Sequence, residues 1–263
     1  MAFRWWWQRD APLLSVTADT GAGPVVVMIH GIASSSVTFH HLVPLLEPDH
    51  RCITIDILGF GVSPTPEGAT YTLAEHAAAL DRTIRSLAPR EPFTLIGHSL
   101  GGLIAARYAA THPQELNRLV LVSSPIYLRP AMLGAAADRA SMGAYFTLYD
   151  YLRSNPGFTR RTAAALATIA PIKNVLELTE QNWVPFMLSL QNAIESQTTL
   201  DDVSRVRVPI DVIYGSLDPF LAPSGLAIVQ QLRLVTMHRV SGVGHLIRPK
   251  LAQAVARALA APN

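Results

Sequence analysis

The chain is predicted to fold as an α/β protein, with a mostly parallel central sheet flanked by helices and a helical cap inserted into it. Three observations predict this. The runs Val25–Ile29, Phe93–Ile96, Leu119–Val122 and Ile210–Tyr214 are almost unbroken in apolar residues. Strands covered on both faces read that way, whereas half-exposed strands alternate. Segments of helical character separate these runs, which is the rhythm of a parallel sheet. The length of 263 residues suits one large domain with an insertion and a sizeable buried core.

The elements follow in order. The first buried strand, Val25–Ile29, ends in His30-Gly31-Ile32-Ala33, and Val37–Leu46 reads as a helix ending near Glu47-Pro48. The next strand, Ile53–Asp56, runs into the loop Asp56-Ile57-Leu58-Gly59-Phe60-Gly61-Val62-Ser63. Thr72-Leu73-Ala74-Glu75 has capping-box spacing and opens a helix towards Leu87. Phe93–Ile96 delivers the chain to Ser99, and a helix from Leu100 to about Thr111 stops before His112-Pro113. After Leu119–Val122 no strand pattern appears until Val208. A cap is therefore expected over residues 126–200, with residues 1–125 and 201–263 forming the core domain. The strands Ile210–Tyr214 and Val235–Val240 and a Leu251–Leu259 helix close the chain.

Composition narrows the function. A formal charge of +2 is too small and too scattered to argue for nucleic acid. Hydrophobic content of 49% with a mean hydropathy of +0.26 describes a globular chain. No apolar run approaches the ~20 residues a membrane span needs. Met1–Asp10 lacks an apolar signal core, so a cytoplasmic location is expected. The single cysteine, Cys52, lies in a strand-like run and reads as a buried small hydrophobe. The Trp5-Trp6-Trp7 run reads as part of an N-terminal strand on the sheet edge. No H-E-x-x-H spacing and no G-x-G-x-x-G after a strand are present, so neither a metal nor a cofactor is expected. The expected state is a monomer or homodimer.

The chemistry is concentrated at Gly97-His98-Ser99-Leu100-Gly101-Gly102. A serine is a poor nucleophile until its hydroxyl is exposed, oriented and given a base. A glycine-flanked turn between a strand and a helix provides the exposure. Two further strand ends supply partners: Asp218 in Gly215-Ser216-Leu217-Asp218-Pro219, and His245 in Ser241-Gly242-Val243-Gly244-His245-Leu246. Asp211 lies inside its strand and is a poorer acid. His98 adjoins Ser99 on a tight elbow and reads as packing behind it. His30 reads as an anchor of its loop, and the other histidines as packing or surface residues.

The order Ser99, Asp218, His245, each just past a strand, resembles the α/β-hydrolase superfamily, and the Asp56–Ser63 loop resembles its D-x-x-G-x-G-x-S segment. That resemblance implies a serine hydrolase cleaving carboxylic esters of small to medium, mostly apolar substrates through an acyl-enzyme. It implies that the backbone N–H groups of Ile32 and Leu100 form the oxyanion hole. Ala33, Ile126, Tyr127, Met142, Phe146, Trp183, Phe186, Phe220 and Leu246 are the expected pocket lining. Related proteins cleave carbon–carbon bonds of ring-fission products with the same triad. A G-N-S-x-G elbow and a glycine-rich loop after His-Gly would mark that branch. Here His98 and Ile32-Ala33-Ser34-Ser35-Ser36 stand in those places, and both count against it. Lactone hydrolysis and perhydrolysis need the same residues with a different pocket. A non-catalytic receptor on this fold is disfavoured by the complete triad.

Overall fold

A computed structural model describes residues 11–127, 154 and 178–261. Seven strands form one sheet: β1 (Val16–Thr20), β2 (Val25–Ile29), β3 (Arg51–Ile55), β4 (Phe93–His98), β5 (Leu116–Val122), β6 (Ile210–Gly215) and β7 (Val235–Val240). Their spatial order is β1-β3-β2-β4-β5-β6-β7. β1 runs antiparallel to β3, and every other neighbouring pair is parallel. The chain therefore winds outward from β2 in both directions, and β4 sits near the middle.

Parallel strands covered on both faces explain the unbroken apolar runs. In β2, Val27 and Ile29 enter the larger core while Val26 and Met28 enter the smaller one on the opposite face. β5 divides the same way, with Leu119 and Leu121 on one side and Val120 and Val122 on the other. The helices over the larger core include Leu73–Leu87 and Leu100–Thr111. The C-terminal helix Pro249–Ala260 covers the smaller face through Leu251, Ala252, Val255 and Ala258.

Two expectations change in detail. The segment expected as one helix over Val37–Leu46 is a 3₁₀ turn at Ser36–Phe39 and a short α-helix at Val43–Leu46. Pro44 has no N–H to donate, so a helix accepts it only within its first turn, and the helix restarts there. β1 carries no apolar run at all. Its sequence is Val-Thr-Ala-Asp-Thr, mostly exposed, and it exists because β3 offers an edge to pair with. The Trp5-Trp6-Trp7 run lies outside the described residues.

Thr72 caps the Leu73–Leu87 helix as its spacing predicts, accepting from the Glu75 amide at 3.2 Å. Glu75 reaches further back than a capping box does, accepting from the amides of Thr70 and Tyr71 at 2.8 and 2.6 Å. Residues 178–200, expected to close the cap, hold a helix at Trp183–Ser189 and a π-helical turn at Leu190–Glu195. The helix Thr199–Arg205 carries the chain back to β6. Among the described residues no helix is long and apolar enough to cross a membrane.

Candidate active site

β4 ends at His98, the Leu100–Thr111 helix begins at Leu100, and Ser99 alone makes the turn. Its φ of 54° and ψ of −123° lie in a region that costs an L-residue energy. The turn is held from outside: the Ser99 amide donates to Val122 O at 3.0 Å, and Gly102 N donates to Ser99 O at 2.9 Å. Gly101 lets the new helix pass close to the end of β2. A Cβ there would stand 2.4 Å from both Ile29 O and His30 O. Gly31 plays the reciprocal part, because a Cβ on it would stand 2.8 Å from Ser99 Cβ and 3.3 Å from Ser99 Oγ. The loop after β2 therefore lies directly against the serine.

The loops that carry Asp218 and His245 are bound to each other. Ser216 N donates to Val240 O and Leu217 N to Val243 O, both at 2.9 Å. Gly242 N donates to Ser216 Oγ, also at 2.9 Å. Within this clasp His245 Nδ1 lies 2.9 Å from Asp218 Oδ2. The Asp218 side chain is fully buried, whereas that of His245 keeps 16% of its exposure. Asp218 Oδ1 is occupied separately by the Phe220 amide at 3.0 Å. The Phe220 ring meets the imidazole edge-on at 4.8 Å. The His98 ring also adjoins the imidazole, tilted, with centroids 5.0 Å apart. Among the described residues the Ser99 hydroxyl has no hydrogen bond, to His245 or to any other group. In unliganded enzymes such contacts are often long and tighten when substrate binds.

The loop carrying Ile32 is anchored by buried polar groups. His30 Nδ1 lies 2.8 Å from Gly31 O, and its Nε2 lies 3.1 Å from the Ile57 amide nitrogen and 3.3 Å from Asp56 Oδ1. Asp56 accepts from the amide of Ser36 at 2.8 Å, its hydroxyl at 2.5 Å and the Val62 amide at 2.9 Å. Burial alone would raise the Asp56 carboxyl, but the adjoining His30 ring, Ser36 and Val62 outweigh it and hold the group down to about 2. Leu100 is the first residue of its helix, so its N–H is one of the unpaired donors at a helix start.

The expected pocket residues separate by depth. Ala33 is buried beside the Ile32 loop with a left-handed φ of 50°. Ile126 and Phe186 belong to the larger core. Tyr127 is buried, and its Oη donates to Phe220 O at 2.9 Å. Trp183 is half-buried with its ring 5.8 Å from that of Phe186, and Leu246 is half-buried. Met142 and Phe146 lie outside the described residues.

Asp211, expected to be a poorer acid than Asp218, has partners of its own. It accepts from Arg118 Nε and pairs with His238 Nε2, each at 2.6 Å. Among the described residues one cluster has the elements of a cation site, Asp81, His112 and Glu115, with ligand atoms within 4.8 Å of one another. Arg85 already donates to Asp81 and Tyr108 to Glu115, so protein donors occupy these carboxylates.

The sequence profile of the alpha/beta hydrolase fold family matches residues 24–248. A cis-3-alkyl-4-alkyloxetan-2-one decarboxylase of Shewanella oneidensis is 38% identical over 114 residues, covering 43% of this chain and 36% of that protein. A probable lysophospholipase, BODYGUARD 1 of Arabidopsis thaliana, is 35% identical over 117 residues, covering 43% of this chain and 25% of that protein. The matched stretches thus span about a third or less of these relatives' own length. The solved structure of E-2-(acetamidomethylene)succinate hydrolase superposes with a TM-score of 0.71 at 21% identity, covering 94% of this chain and 93% of that one. A likeness at that identity speaks for the fold. With the profile running from the start of β2 through the loop that bears His245, and with the strand order and the strained elbow described above, the chain belongs to the alpha/beta hydrolase fold family.

Proposed function

We propose that this protein is a serine hydrolase that cleaves carboxylic esters of small to medium, mostly apolar substrates through an acyl-enzyme. The observation that carries the reading is the buried Asp218 carboxylate bonded to His245 Nδ1, on a loop packed against the residue next to a strained Ser99. A carboxylate on Nδ1 requires the proton there, which leaves Nε2 unprotonated and able to accept. Ser99 Oγ attacks the ester carbonyl while His245 takes its proton, and the ring then returns it to the departing alcohol. Water repeats the sequence on the acyl-enzyme. The N–H groups of Ile32 and Leu100 receive the tetrahedral oxyanion, a contribution of about 3 kcal/mol for each donor. The cap we assign over this site is residues 126–200, of which 128–153 and 155–177 lie outside the described residues, and Phe220, Leu246 and Trp183 are among the lining we assign. With one buried cysteine and no disulfide among the described residues, the cytoplasm is the location we infer.

A cyclic ester would use the same machinery, and the Shewanella oneidensis relative is named for an oxetan-2-one, a four-membered lactone. Lactones therefore belong in the substrate screen. The deciding experiment is Ser99→Ala assayed on a short-chain chromogenic ester. Turnover should fall by about 10⁴-fold or more with the fold retained. A folded Ser99→Ala protein with wild-type turnover would remove the serine mechanism.

A further inference from the structure

We propose that His98 is a positioning residue that holds the base loop in register with the nucleophile by donating its Nε2–H to the His245 carbonyl. The inference rests on the reading of Ser99, His245 and Asp218 given above. His98 Nε2 lies 2.9 Å from His245 O, across 147 residues of sequence. A carbonyl only accepts, so the proton must be on Nε2. The other ring nitrogen, Nδ1, is buried without a partner among the described residues, which leaves the His245 carbonyl as the ring's one polar anchor. Burial first, and then the neighbouring His245, push the His98 imidazole down to about 3. It therefore stays neutral when His245 takes up a proton during turnover, keeps its donor, and does not compete as a base.

The need for such a bond follows from how His245 is otherwise held. The clasp between Ser216–Leu217 and Gly242–Val243 ends two residues before it. At His245 itself, Asp218 bonds only the ring, and among the described residues the backbone carbonyl is met by His98. His98 is the last residue of β4, paired in register with Val122 of β5, so its donor comes from the rigid end of a central strand. One peptide link further on is Ser99. Nucleophile and base are thereby referenced to the same point of the sheet, and a displacement of about 1 Å between such groups can cost 10²-fold in rate.

Three variants test this beside Ser99→Ala, each checked for folding by circular dichroism and thermal melting. His98→Phe keeps a ring and removes the donor. His98→Gln can place an amide N–H where Nε2 was, and His98→Asn is too short to reach. We expect kcat on the chromogenic ester to fall roughly 10- to 100-fold in Phe and Asn with KM changed less than about threefold. Gln should recover most of kcat, whatever its melting temperature. The proposal is overturned if folded His98→Phe keeps kcat within twofold of wild type. It is equally overturned if Gln and Asn show the same kcat, which decides the matter should Phe not fold. If Ser99→Ala stays active, the serine mechanism itself has failed. If Ser99→Ala is dead and the His98 variants are silent, only the positioning role has.

Discussion

Replacing Asp218 by Asn tests the proposed wiring of the base with little change of shape. The wild-type carboxylate serves two partners with two oxygens: Oδ1 accepts from Phe220 N at 3.0 Å, and Oδ2 faces His245 Nδ1 at 2.9 Å. In Asp218→Asn the amide oxygen is retained at Phe220, because turning it away would leave a half-buried N–H facing an NH₂ group, at a cost of about 1–3 kcal/mol. The NH₂ group then occupies the Oδ2 position and donates to Nδ1. That moves the imidazole proton to Nε2, the nitrogen that must accept from Ser99, and removes the negative charge opposing the imidazolium. A wrong-tautomer substitution of this kind costs about 10⁴-fold in kcat, or about 5 kcal/mol of transition-state stabilisation. Both side-chain hydrogen bonds survive, so stability should stay within about 1 kcal/mol of wild type. The assay is kcat/KM on a short-chain chromogenic ester at neutral pH, with a thermal melt and the rate of fluorophosphonate labelling of Ser99. A folded variant with kcat/KM within tenfold of wild type would refute the tautomer argument.

The remaining predictions concern the frame around the site. Asp56 is held at about 2 against an ordinary 3.8, which corresponds to roughly 2 kcal/mol at about 1.4 kcal/mol per pH unit. Because the folded value is the lower one, this stabilisation is complete above about pH 4 and is lost as pH falls towards 2. Urea unfolding across that window should show a shallower pH dependence for Asp56→Asn than for wild type, and parallel curves would contradict the attribution. Gly101→Ala places a Cβ 2.4 Å from two carbonyl oxygens of β2 and its loop, whereas Gly68→Ala meets nothing within 4 Å and carries only the strain of its φ of +76°. Denaturant titration should show Gly101→Ala losing about 3 kcal/mol or more and Gly68→Ala about 1. The reverse ranking would mean that the elbow and the Ile32 loop are not packed as described.

Much of the sheet was legible because burial on both faces leaves a local trace. β2, β4, β5 and β6 each appear in the sequence as an apolar run, and the loops after β2, β4 and β6 carry Ile32, Ser99 and Asp218. The Thr72 cap and the start of the next helix were legible for the same reason, since the spacing and the bond it makes are both local. β1 left no trace, because an exposed edge strand needs a partner more than it needs apolar residues. Pro44 lies inside the segment expected as one helix, and it is accommodated only in the first turn of a separate helix at Val43–Leu46. Asp211 and His238 carry no sign of their pairing, and Arg118 lies 93 residues from the carboxylate it meets. His98 is the clearest case: adjacent to Ser99, it offered only a packing role until β7 and its loop brought the His245 carbonyl to it.

The linear order of residues determined by itself the fold class, the position of the strained serine turn and the identities of the acid and base proposed to serve it. Each depends on patterns a few residues long: a glycine-flanked serine after an apolar run, or an Asp or His just past one. Tertiary structure alone decided that Asp218 spends one oxygen on Phe220 and the other on His245, that Gly31 and Gly101 bring two loops against the elbow, and that His98, beside Ser99, meets the His245 carbonyl. The physical reason is range. Hydrophobic burial and backbone sterics act on neighbours along the chain and so mark the sequence. Hydrogen-bond partners fixed across a sheet are set by where distant strand ends meet, and no single segment encodes that meeting.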